Sequence, residues 1–163
     1  TDRWEPRLGD LRDPSVLAGE RPFDLVTGAP PFMAPGSGVL PGDPQRAAGR
    51  FELRGGVREY AEAAARHVAA DGRVVLLMDG LASSGVRTGE ALSAAGLFPL
   101  RIVTVIPFPD RKPIYRIFEA APRSGPVEDE MLCMRLSDGS RFSPEYDAIR
   151  GEMDCFTAPP LRS

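Results

Sequence analysis

The chain has 163 residues, the size of one domain with room for a real core, and its 42% hydrophobic and 26% charged content is close to that of ordinary globular proteins. A net charge of −3 argues against indiscriminate nucleic-acid binding, and the longest apolar run, Val74 to Met78, is too short to cross a bilayer. Cys133 and Cys155 have neither metal-ligand spacing nor the look of a disulfide framework, and no basic-then-apolar segment suggests secretion. A cytoplasmic protein without metal is the expectation. Nearly all basic charge is arginine, with Lys112 the only lysine, which fits a GC-rich coding sequence and also suits planar phosphate contacts.

In chain order, Trp4 to Leu11 reads as a strand ending in a turn, followed by Asp13-Pro14 and a short helical or irregular stretch. Phe23-Asp24-Leu25-Val26 is a compact apolar strand stopping at Thr27-Gly28. From Ala29 to Pro44 the density of Pro and Gly denies helix and sheet and predicts a long loop. The 3.6-residue period of Val57, Tyr60, Ala61, Ala64, Ala65 and Val68 predicts a helix over 57–69, stopped by Asp71-Gly72.

Val74 to Met78 has no alternation, as expected of a strand buried on both faces. A second helix is expected near Thr88 to Ala95, ended by Gly96. Strands at Leu100–Ile106 and Ile114–Glu119 are joined by a connector too short for a crossover helix, so they should pair antiparallel. An alternating stretch at Met131–Leu136, a turn at Asp138-Gly139 and a helix capped by Ser143, with Pro144 in its first turn, complete the chain. This order describes an open α/β sheet, mostly parallel, with one antiparallel edge strand. Ligands on such sheets bind beyond the carboxyl ends of the parallel strands, at Gly9–Leu11, Thr27–Phe32 and Asp79-Gly80.

Ala29-Pro30-Pro31-Phe32 is the most informative segment. Two prolines fix the backbone where the strand leaves the sheet, holding carbonyls and an aromatic ring in set directions. A rigid carbonyl accepts a hydrogen bond from an amine, and a flat ring stacks on a flat substrate.

Asp24-Leu25-Val26 leading into this segment resembles the fourth motif of class I S-adenosylmethionine-dependent amino-methyltransferases, usually Asn, Asp or Ser followed by Pro-Pro and an aromatic. The chain is similar in particular to the branch containing the tRNA adenine-N6 methyltransferases. Gly9-Asp10-Leu11-Arg12 resembles that branch's strand-three signature, and Arg50-Phe51-Glu52, Ala63-Ala64-Ala65-Arg66 and Asp71-Gly72-Arg73 its middle segments. Asp138 to Tyr146 resembles its closing Gly…Ser-Pro-Glu segment.

The resemblance implies a Rossmann-like methyltransferase sheet, with residues 1–163 forming the carboxyl-terminal portion of one domain. It implies S-adenosyl-L-methionine as cofactor, bound near Asp10, Leu11, Thr27 and Gly28. Ala29, Pro30, Pro31 and Phe32 would line the gap between methyl donor and target, and the substrate would be an exocyclic amine of a nucleobase in tRNA or another RNA. Transfer would be a direct displacement needing no metal or covalent nucleophile.

Two departures qualify this. Ala29 stands where an amine acceptor is usual, and its methyl accepts no hydrogen bond. The Gly-rich cofactor loop and the acidic end of the second strand are absent, so the first strands of such a sheet are expected to be missing; Thr1 in place of a methionine agrees. A degenerate module binding RNA or a protein partner, and a methyltransferase for small molecules or proteins, therefore stay open. Arg46, Arg50 and Arg54 follow the loop at four-residue spacing, and Arg111 and Lys112 sit at the expected hairpin tip; these are the candidate phosphate contacts, or else solvated charges paired with Glu52, Glu59 and Glu62. Gly36-Ser37-Gly38 reads as loop cover, and His67 as a surface residue. Asp79 reads either as a group reaching the substrate pocket or as a cap for the next turn.

Overall fold

The computed structural model describes residues 5–139 and 141–153. Its centre is β2 (Val68–Asp79), where the unalternating run Val74–Met78 has one face buried, through Val74, Leu76 and Met78, and the other, with Val75 and Leu77, half-buried. Val74, Leu76 and Met78 are at most 1% exposed and face two helices, α2 (Val57–His67) and α3 (Ala82–Ala94). Val57, Ala61 and Ala64 of α2 supply the opposing surface, as their helical spacing predicts. The helix passes into β2 without a loop, because Val68 is at once its C-cap and the first residue of the strand.

β2 pairs in parallel with β1 (Phe23–Gly28), with Thr27 opposite Val75 and Gly28 opposite Leu76. On its other side it pairs antiparallel with β4 (Tyr115–Ala121), which pairs antiparallel with β3 (Phe98–Ile106). β5 (Glu128–Cys133) adds in parallel outside β3, giving the order β1-β2-β4-β3-β5. Four strands run one way and β4 runs against them. The reversed strand anticipated at the edge is therefore present, but interior, because β5 extends the sheet beyond its hairpin partner. The second face of the sheet carries Leu77, Val103, Tyr115 and Ile117 around a hollow of about 660 Å³, bordered by Tyr146 and Ile149 of α4 (Pro144–Glu152).

Several boundaries differ from the sequence reading. Residues 5–10 form no strand, and Trp4 lies outside the described residues. Arg7 ties this segment to Glu5 and Glu20 by ion pairs, and no described strand offers it a ladder. The Pro-rich loop ends one residue early, at Asp43, whose carboxylate accepts the Arg46 N–H at 2.6 Å and opens α1 (Pro44–Arg50). The helix expected from Thr88 starts at Ala82: Asp79 holds the Leu81 N–H and the Ser84 hydroxyl, and Thr88 Oγ1 donates to the Ser84 carbonyl. Those bonds carry a Ser/Gly segment that has low helix propensity of its own. The Ser143 cap of α4 is as expected, accepting the Tyr146 N–H at 3.1 Å.

Candidate functional site

At the carboxyl end of β1 the strand leaves the sheet between α2 and the segment before it. Gly28 has no room for a side chain, since a Cβ there would lie 2.9 Å from Tyr60 Cδ1 and 3.3 Å from Leu76 Cδ2. Pro30 and Pro31 are buried, whereas Ala29 is exposed and Phe32 is 38% exposed. The two prolines thus anchor the turn, and the residues on either side of them face outward. Beyond them Met33 is clamped by the chain leaving α1: its N–H donates to the Arg50 carbonyl at 3.2 Å and its carbonyl accepts from the Glu52 N–H at 2.9 Å. The β1 ladder ahead of the Pro-Pro turn and these bonds behind it hold the backbone that carries Phe32.

Two clefts meet beside this exit. One, of about 380 Å³, runs between Asp10, Leu11, Pro31, Gln45, Arg54 and Tyr60. The other, about 220 Å³ and largely apolar, lies between Leu11, Leu17, Thr27, Gly28, Tyr60 and His67. Leu11 and Tyr60 belong to both. Arg66 of α2 donates to the Leu11 carbonyl at 2.6 Å and so fixes the wall they share. Leu17 adopts φ +64°, a left-handed backbone that costs a non-glycine residue roughly 1–2 kcal/mol, and its side chain lines the apolar cleft.

Asp10 is exposed and fully engaged by Arg12. Its Oδ1 accepts from the Arg12 N–H and Nε at 3.0 and 2.9 Å, and its Oδ2 from Nε and Nη2 at 3.1 and 2.5 Å. The hydrogen bonds from the Arg12 side chain, then from its backbone, lower the carboxyl to about 2, and Arg54 adds a smaller attraction. Solvent screens an exposed pair of this kind, so a competing ligand can part it.

The structure brings Asp10, Leu11, Thr27, Gly28, Pro31 and Arg54 around these clefts. Ala29 and Phe32 stand at the rim of the same strand exit, exposed. The other candidates lie elsewhere. Arg46 and Arg50 are exposed on α1, and Arg58 belongs to α2, where it pairs with Glu62 at 3.0 Å. The four-residue row is thus split over separate elements, with Gly55 at φ +112° between them. Of the suggested pairings, Glu52 instead meets Arg87 of α3, and Glu59 accepts the Gly56 N–H at 2.7 Å as an α2 cap.

Arg111 borders a separate hollow with Phe108, Asp138 and Gly139, and neighbouring Lys112 is exposed. Asp79 is a cap, both oxygens being used at the start of α3. His67, read as a surface residue, is half-buried in the apolar cleft, and Tyr60 and Arg66 emerge as site walls that looked like core and solvent residues. The glycine at position 28, followed by proline within two residues, was the available sign that another side chain packs closely there. Among the described residues no group of His, Cys, Asp and Glu is placed to hold a metal ion, and no helix is long and apolar enough to cross a membrane.

No protein-family profile and no curated protein sequence matches the chain. Solved structures do. A crystal structure of a predicted O-methyltransferase from Agrobacterium tumefaciens matches with a TM-score of 0.57 and 16% identity over 83% of this chain and 55% of that one. A protein described as a modification subunit of a type I restriction enzyme from Vibrio vulnificus matches at 0.46 and 15% identity, over 91% of this chain and 35% of its own. The chain spans about half the length of the first of these. Strand order, the single reversed strand and the first of these likenesses agree: the chain has the α/β fold of a methyltransferase sheet.

Proposed function

We propose that the chain is the carboxyl-terminal portion of an S-adenosylmethionine-dependent methyltransferase that modifies an exocyclic amine of a nucleobase in RNA, in the cytoplasm. The observation that carries the reading is the exit of β1, where buried Pro30 and Pro31 present exposed Ala29 and Phe32 beside two clefts. On this reading the apolar cleft by Leu11, Thr27 and Gly28 takes the flat adenine of the cofactor, and Asp10 accepts a hydrogen bond from it once Arg12 is displaced. The residues fit in that respect: an apolar slot suits a heterocycle, and a carboxylate ionised down to about pH 2 is a lasting acceptor. The cofactor, when bound, supplies a methyl group on a sulfonium, open to direct displacement.

The chain's own task is placement. Phe32 stacks on the target base, and main-chain carbonyls of the Pro-Pro turn accept the amine hydrogens, since Ala29 has no acceptor. A missing side-chain acceptor of this kind is worth about 3–4 kcal/mol of transition-state stabilisation by analogy with oxyanion donors, which makes a slow amine methyltransferase or a non-catalytic relative the second reading. Arg54 at the cleft, and Arg46, Arg50, Arg111 and Lys112 outside it, are the candidate RNA phosphate contacts.

Calorimetric titration of the full-length gene product with S-adenosylmethionine tests the enzyme reading; no detectable binding sinks it. Nucleoside analysis of RNA after incubation tests the substrate, and methyl found only elsewhere refutes it. Ala29→Asn should raise transfer to RNA. An unchanged rate would mean that position 29 is not an amine acceptor.

A further inference from the structure

Arg116 occupies a position where an apolar residue would be unremarkable. It lies on β4 between Met78 of β2 and Thr104 of β3, on the same side of the sheet as buried Phe118 and Ala120. Its Nε is buried and has no hydrogen-bond partner among the described residues. Its Nη1 lies against Gly85 in the first turn of α3, so closely that a side chain at position 85 would have to displace it.

Asp79, the carboxylate at the start of α3, uses one oxygen on the Leu81 N–H and the other on the Ser84 hydroxyl, and Glu119 of β4 alternates onto the opposite face of the sheet, where it pairs with Arg73. The first turn of α3 contains no acidic residue. A half-buried guanidinium with a desolvated Nε and no ion pair among the described residues is suited to an anion from outside.

Its place in the sheet says which part of a ligand it meets. Gly28, the last residue of β1, is opposite Leu76, and Arg116 is opposite Met78 on the next strand over. Two strand spacings across and two residues along put the two Cα atoms about 12 Å apart, on the same side of the sheet and at the same end. That is the reach from a base held at the β1 exit to a phosphate of the same or the adjoining nucleotide.

We infer that Arg116 binds a phosphate of the ligand whose flat base lies against Phe32. The base half of this statement rests on the function proposed above; the anion half rests on Arg116 alone.

The test is the arginine Nε–Hε region of the ¹H–¹⁵N NMR spectrum of the full chain, with the Arg116 peak assigned by its loss in Arg116→Lys. Inorganic phosphate should move that peak saturably, sodium chloride at matched ionic strength should not, and adenosine 5′-monophosphate should act at lower concentration than phosphate. Arg116→Met should weaken the monophosphate about tenfold or more and leave adenosine unchanged. No saturable movement with either phosphate compound overturns the inference, and that measurement on the unaltered chain needs no variant to fold. Equal binding of adenosine and its monophosphate to both proteins overturns it as well, while leaving the base reading intact. A phosphate response with no Phe32-dependent gain from the base supports Arg116 and refutes the nucleobase reading.

Discussion

Replacing Gly28 by alanine separates two opposing effects that the structure makes calculable. The backbone of Gly28 is not left-handed, so alanine is allowed there and should gain roughly 0.4–1 kcal/mol by restricting the unfolded chain. Against this, the new Cβ would lie 2.9 Å from Tyr60 Cδ1 and 3.3 Å from Leu76 Cδ2. Leu76 is 1% exposed and cannot retreat, whereas half-buried Tyr60 can swing toward the cleft. Overpacking of this kind costs about 1–3 kcal/mol, so the net loss should be about 0.5–2 kcal/mol. Urea unfolding should show a lower midpoint with an unchanged slope, and thermal melting a fall of about 2–8 °C. In a Tyr60→Ala background the main clash is gone, and the same substitution should become neutral or stabilising. Equal cost in both backgrounds would refute the argument that Tyr60 is what forbids a side chain at the β1 exit.

Three further outcomes follow from other contacts. Leu76→Ala, at the centre of the core, should cost about 2–5 kcal/mol in urea unfolding; a loss below 1 kcal/mol would mean the site is not close-packed. Ser143→Ala removes the α4 cap and a 2.5 Å bond to the Cys133 carbonyl, and should lower stability by about 1–2 kcal/mol by the same measurement; no change would show that α4 is not held by this residue. Asp10 has a folded pKa depressed from 3.8 to about 2, so what its pair with Arg12 adds is present above pH 3.8 and lost as pH falls toward 2. Its carboxyl ¹³C resonance should titrate near 2 and move upward in Arg12→Ala while staying below 3.8, because the backbone N–H of residue 12 still donates to it; an unmoved midpoint in that variant would assign the depression to another group.

The elements legible in the sequence were those written in local chemistry. Val74–Met78 announced a central strand, although its second face is only half-buried, the seven-residue connector at Pro107–Pro113 forced an antiparallel pair, and Ser143-Pro144 marked a helix start. What escaped depended on side-chain contacts rather than on local propensity. Residues 5–10, Glu-Pro-Arg-Leu-Gly-Asp, carry a single aliphatic side chain and have no described neighbour to complete a ladder. Ala82–Ala94 is helical from its first residue because Asp79 reaches forward into it, a bond no propensity scale contains. Arg46, Arg50 and Arg54 recur at four-residue spacing, but the first two lie on α1 and Arg54 beyond its end, next to Gly55 at φ +112°. Around the β1 exit, Asp10 and Pro31 were marked by motif, whereas Tyr60, Arg66 and His67 became walls only through the packing of α2.

The interior position of β4 constrains the order in which the chain can assemble. β2 finds its partner not in the next strand but in the one after, with Asp79 opposite Tyr115. β3 and β4 are joined by a short connector and can zip up as a local hairpin within microseconds, whereas β2 must wait for that hairpin to arrive. Until it does, one long apolar edge of β2 stays bare and open to other chains. Changes in the connector at Pro107–Pro113 should therefore appear first in refolding speed and yield, ahead of any effect on the finished sheet.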